Sequence, residues 1–136
     1  MFDPSIVAAA VGIVAGAFGY WFATFSVQPI LRYRDVRNRI LSDFIFYAQV
    51  VNAKGLNDEM EDLYRRRVLS NREASAALSA AIQDLPFWYK WFLSLKGYDP
   101  ADAARNLIGY SNTTEWDQSH KLQSTIRSKL GLPPET

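Results

Sequence analysis

The chain has 136 residues, a net charge of +1, no cysteine and one histidine. That length allows one small domain beside any anchor. The lack of cysteine excludes disulfides, thiolate metal sites and a cysteine nucleophile, and the near-neutral balance offers no global field for nucleic acid.

Met1 to Ser5 carries one acid, Asp3, and no Lys or Arg, and Pro4 suits a first helical turn because its missing N–H would be unpaired there. From Ile6 to Phe25 the chain is uncharged, about the ~20 residues that a helix needs to cross a bilayer. A helix satisfies its own backbone in hydrocarbon, so it is the natural form of such a run. Tyr20, Trp21, Phe22 and Phe25 cluster at one end, where aromatic rings favour the headgroup level. A cleaved signal peptide would want a positive leading region and a small-residue cleavage site, and neither is present. A buried core helix of this length would be unusual in so small a protein. The run reads as a membrane span.

Within it Ala8, Gly12 and Gly16 recur every fourth residue, and Ala15, Gly19 and Ala23 form a second small-residue row. Such rows let helix backbones approach closely, although Gly and Ala are also simply common in spans. Arg32, Arg34, Arg37 and Arg39 follow the aromatic end, with Asp35 the one acid among them. They suit anionic headgroups. The asymmetry of Lys and Arg across the run puts the N-terminus outside and the rest of the chain in the cytoplasm. The expected organisation is an anchor over 1–28, a helical domain over 29–131 and a tail over 132–136.

Pro29 is expected to end or kink the first helix. Beyond it, Tyr33, Val36, Ile40, Phe44, Tyr47, Ala48 and Val51 recur every three or four residues, which predicts a helix over 30–51 with that face inward. Asn52 to Gly55 reads as its stop, and Asn57 as the cap of the next helix. That helix opens on Asp58, Glu59 and Glu61 and continues into Arg65, Arg66 and Arg67, an order that matches the helix dipole. The basic run reads as a solvated face. One long helix to about Gln83 is expected; Ser70 with Glu73, a capping-box pattern, is the alternative break.

After Asp84-Leu85-Pro86 comes Phe87-Trp88-Tyr89-Lys90-Trp91-Phe92-Leu93-Ser94-Leu95-Lys96. This stretch is too short to span a bilayer. Three readings compete: a core helix buried on several sides, an interfacial helix with lysines reaching phosphates, and a docking face for a partner protein. Geometry favours a contact face, with Phe87, Trp88, Trp91 and Phe92 as its residues and Tyr89 and Leu93 turned the other way. Asp99-Pro100 starts a further helix to about Tyr110. Asn112 or Thr113 caps the last one, whose apolar face is Trp116, Leu122, Ile126 and Leu130 and whose stop is Gly131. No stretch alternates as a strand does, so the fold class is all-α: one transmembrane helix followed by a small helical bundle.

The chemistry-bearing residues form no recognisable constellation. His120 has Asp117 and Glu115 near it at spacings that make a poor metal clasp. Asp43, Glu59, Glu61 and Asp62 lack any sign of a cleft. No cofactor, metal or catalysis is expected. The segments Pro29 to Arg34, Phe44 to Ala48, Arg105 to Asn112 and Ile126 to Leu132 resemble small bacterial single-span membrane proteins of unassigned function. That resemblance implies a bacterial inner-membrane setting and lends no activity and no site residues. The expected role is a protein-interaction or accessory subunit with lipid and protein partners; the alternative is a self-oligomerising effector that perturbs the bilayer.

The arginine asymmetry has a direct test. A reporter active only in the cytoplasm, fused after Thr136, is expected to be active, and a periplasm-only reporter there silent. The reverse pattern would overturn the orientation.

Overall fold

A computed structural model of the chain describes residues 3–48, 58–113 and 116–134, the side chain of Trp116 excepted. Its elements are α1 (Pro4–Phe22), a π-helical turn (Ala23–Val27), α2 (Gln28–Phe46), α3 (Asp58–Asp84), α4 (Phe87–Leu95), α5 (Pro100–Asn112) and α6 (Trp116–Leu130). Among the described residues there is no strand. The expected stop at Asn52 to Gly55, the Asn57 cap and Val51 lie outside the described residues.

Pro29 neither ends nor breaks the first helix. Pro4–Phe46 is one helix of 43 residues, the one helix among the described residues long and apolar enough to cross a membrane. The cause is the π-turn just before the proline, where the Gln28 N–H donates to the Ala23 carbonyl. One residue more per turn absorbs the missing proline donor and relieves the ring clash, which a regular α-turn could not do. Asp3 caps the start by accepting from the Ser5 N–H at 3.0 Å. α1 buries none of its residues, whereas Pro29, Tyr33, Ile40 and Phe44 of α2 are buried. One rod is thus an uncovered helix at one end and a core element at the other.

The remaining helices run up and down beside α2. Asp43 accepts from the Ser70 hydroxyl at 2.6 Å, Arg39 pairs with Glu73 at 3.3 Å and Arg32 with Asp84 at 3.1 Å. These contacts descend in register, so α3 is antiparallel to α2 and returns toward the span. Ser70 is spent on that contact, and α3 runs unbroken through it as expected. α5 climbs away again: Ser75 donates to the Ala104 carbonyl at 2.7 Å, and Arg67 to the Tyr110 carbonyl at 3.0 Å. Asp99 caps α5 through the Asp102 N–H at 3.1 Å. α6 comes back, its end tied to the start of α5 by the Asp99 N–H on the Lys129 carbonyl at 2.9 Å. The result is a four-helix bundle of α2, α3, α5 and α6, with short α4 linking α3 to α5 at the end nearest the span.

The core is the stripe that the periodicity marks: Tyr33, Ile40 and Phe44 of α2, Ala74, Leu78 and Ala81 of α3, Leu107 and Tyr110 of α5, Ile126 and Leu130 of α6. Ala48 of the expected α2 face is exposed instead. Gly131 ends α6 in the left-handed region at φ +69°, and the Leu132 N–H donates back to the Arg127 carbonyl at 2.8 Å. Leu132, expected as the start of the tail, is therefore folded under and buried, the apolar contact that usually accompanies such a cap.

One expectation fails inside the bundle. Arg67 belongs to no solvated face; it is fully buried. Its guanidinium carbon lies 4.3 Å from the centre of the Tyr110 ring and 5.7 Å from that of Tyr64. Phe44 meets Tyr110 edge-on at 5.2 Å, and Arg127 caps the other side of Phe44 at 5.5 Å. Arg67 stands one turn before Asn71 and two before Ala74, on the inward row of α3, so the backbone carries it inside whatever its charge. Aromatic faces and a carbonyl at the end of α5 stabilise the cation, while its Nε and Nη1 have no hydrogen-bond partner among the described residues.

Because no carboxylate compensates Arg67 among the described residues, an apolar chain of similar volume should replace it without loss. Arg67→Met is expected to leave thermal stability unchanged or raise it by about 1 kcal/mol. Arg67→Ala, which empties the slot between Tyr64 and Tyr110, is expected to cost about 2–4 kcal/mol. Circular-dichroism melts of the full chain in detergent measure both.

Candidate membrane and helix-packing surfaces

Three surfaces are laid out along one axis, from α1 through the start of α2 to α4. On α1 the expected packing residues Ala8, Gly12, Gly16 and Gly19 are all exposed, and a Cβ placed on any of the three glycines would meet nothing within 4 Å. The body does not cover this row, so a second helix could reach it. The flanking chains Ile13, Phe18 and Trp21 are exposed as well. Trp21 and Phe25 stack at 5.7 Å between ring centres, which holds the aromatic end together one turn before the body begins.

The arginines after Pro29 divide by role. Arg32 and Arg39 are engaged with Asp84 and Glu73 across to α3. These pairs are exposed and contribute little to stability, on the order of 0.2–1 kcal/mol, but they set the register in which α3 meets α2. Arg34 is exposed with no ion pair among the described residues, and Arg37 is half-buried with its Nε unpartnered among them. Of the four, Arg34 is the exposed one without an ion pair among the described residues.

α4 lies beside the first turns of α2. Tyr89 meets Tyr33 edge-on at 6.1 Å between ring centres, and Leu93 is buried. The rest of its apolar surface is open: Phe87 is 85% exposed, Trp91 62%, Trp88 49% and Phe92 44%. The reading of this stretch as a core helix buried on several sides is thus corrected. With only nine residues, packed by one edge, α4 cannot bury both faces. Tyr89 and Leu93 fall inward, as the spacing required, and Phe87, Trp88, Trp91 and Phe92 fall together on the outer side.

Among the described residues no group of three His, Asp or Glu could hold a metal ion. His120 is half-buried beside Ser124, Arg127 and Ser128 at a shallow hollow. Asp43 is occupied by Ser70 and Asp62 by Arg66 at 2.9 Å. A hollow of about 380 Å³ between α3, α4 and α5 is lined by Ile82, Leu85, Lys90, Leu93, Tyr98 and Asp99 among others. Among the described residues, the one titratable group whose protonation the fold clearly changes is Tyr33. Burial pushes its hydroxyl well above the ordinary tyrosine range, against the opposing pull of Arg37. That hydroxyl has no hydrogen-bond partner among the described residues. The sequence analysis missed both it and Arg67; the available signal was a polar atom on a chain sitting at a core register position.

These features define a class: a small all-α protein in which a four-helix body is built onto the end of one helix long and apolar enough to span a membrane. No family model, no curated protein and no solved structure matches the chain.

Tyr33 yields a prediction with a definite sign. An unfolded tyrosine loses its proton near pH ~10, while the folded chain holds Tyr33 protonated beyond that. Its contribution is complete below that pH and is lost as pH rises above it. Tyr33→Phe removes a buried donor without a partner, so it is expected to be neutral or to stabilise by about 1 kcal/mol at pH 7. It is also expected to flatten the loss of stability above pH ~10. Denaturation midpoints of the two proteins at neutral and alkaline pH check both statements.

Proposed function

We propose that the chain is a single-span protein of a bacterial inner membrane, with its N-terminus outside and its helical body in the cytoplasm, serving without catalysis as an accessory or protein-interaction subunit. The observation that carries this reading is the unbroken Pro4–Phe46 helix. The apolar segment and the first core helix of the body are joined in one continuous helix with no loop between them, which supports a body held directly to whatever α1 inserts into. The open row of Ala8, Gly12, Gly16 and Gly19 supports a close helix–helix contact within the bilayer, where small residues let backbones approach. Arg32, Arg34, Arg37 and Arg39 follow the span on the side that the positive-inside rule assigns to the cytoplasm, with Arg34 the best placed for lipid phosphates. The same small-residue row could receive a second copy of α1, as a self-oligomerising effector would require.

Native mass spectrometry of the full chain, extracted gently from its host, separates the two. A stoichiometric foreign subunit is expected. A homo-oligomer with no other chain would favour the effector, and a monomer would overturn both. In the expected case Gly12→Leu with Gly16→Leu should reduce recovery of the partner by tenfold or more, because a leucine at either place holds the helices apart.

A further inference from the structure

The outer face of α4 gathers five exposed large apolar side chains, Phe87, Trp88, Trp91, Phe92 and Leu95, on one short helix, and its place in the fold points to what covers it. α3 descends along α2 toward the span through the contacts at Asp43, Arg39 and Arg32, and α4 follows directly after it. Its inward edge rests on Tyr33, some two turns beyond Phe25, which is about 12 Å of helix at 1.5 Å per residue. The apolar face is therefore set at the α1 end of the bundle, beside the first turns of α2.

The arrangement around the helix is equally directional. At ~100° per residue, Phe87, Trp91, Leu95, Trp88 and Phe92 sweep an arc of about 140° directly opposite the buried edge of Tyr89 and Leu93. All five are exposed. Lys90 and Lys96 border the arc on its two sides, and the Lys96 ammonium rests 5.7 Å from the Phe92 ring centre. α4 itself carries no acid; of the acids flanking it, Asp84 is paired with Arg32 and Asp99 caps α5. Tryptophans over an apolar arc with lysines on its borders suit the boundary between headgroups and acyl chains, where rings sit at headgroup depth and ammonium groups reach phosphates. The positive border suits an anionic leaflet.

We infer that α4 is a second membrane contact: Phe87, Trp88, Trp91 and Leu95 seat in the leaflet that faces the body, with Lys90 and Lys96 at the phosphates of anionic lipids. This rests on the reading of 6–25 as a span. Two attachments, one through the bilayer and one along its surface, fix the lean of the bundle, which a single helix would leave free to tilt and spin.

The absence of native cysteine permits a clean test on the full chain. Trp91→Cys, Leu95→Cys, Val14→Cys and Arg105→Cys each carry one spin label in nanodiscs containing phosphatidylglycerol. Each is read by its collisions with oxygen, which concentrates in lipid, and with a water-soluble nickel complex. Labels at 91 and 95 are expected to favour oxygen, to lie about 5–10 Å below the headgroups, and to lose that preference at least twofold when Lys90→Glu and Lys96→Glu are added. The label at 105 should be fully aqueous and the label at 14 deep. Aqueous labels at 91 and 95 beside a deep label at 14 would overturn this inference and leave the span intact. An aqueous label at 14 would overturn the span itself. Labels at 91 and 95 shielded from both relaxers would show a protein surface over α4 and overturn the lipid contact.

Discussion

The rest of the structure depends on the continuity of the first helix through Pro29. A proline in a regular α-helix removes a donor and forces its ring against the preceding turn, at a cost of ~3 kcal/mol or more. A break there would also leave backbone groups without helical partners. The π-turn at Ala23–Val27 resolves both problems with one extra residue. It leaves Pro29 buried in the body, and the helix continues from α1 into α2.

Two kinds of surface result from that single rod. α1 buries none of its residues against the described body, so its apolar chains gain little from the folding of the bundle. α2 has a polar outer face and a narrow apolar stripe, and α3, α5 and α6 close on it. Burial is the dominant favourable term for such a bundle, and a body of roughly 100 residues holds little in reserve. That makes the stack of Arg67, Tyr110, Phe44 and Arg127 consequential. It fills the end of the core away from the span with two flat rings held between two guanidinium groups. Charge there is accommodated by ring faces and a carbonyl rather than by a carboxylate.

Much of the architecture was legible in the residues. The uncharged run from Ile6 to Phe25 shows itself by length, and the stripes of α2 and α6 by spacing. The caps at Asp3, Asp99 and Gly131 follow from side-chain and backbone chemistry that acts within a few residues. The division of the α4 aromatics was legible too, since Tyr89 and Leu93 share an edge on any helix. Arg67 shows why such reading stops short. A run of three arginines looks solvated because each is judged by its charge, whereas its fate was decided by the register of Asn71, Ala74 and Leu78 on the same helix.

What the sequence determined alone is therefore local: where helices begin and end, which residues share a face, and that one helix is apolar all round. These depend on interactions spanning a turn or two, which the order of residues specifies directly. The tertiary structure decided the rest. It buried the Pro29 ring in the body, although the first helix continues through that residue. It ran α3 back along α2, so that Asp84 met Arg32 and α4 came to lie beside the first turns of α2. It also left the aromatic arc of α4 uncovered, because whether a face is buried depends on the helices that pack on it, and these come from distant parts of the chain.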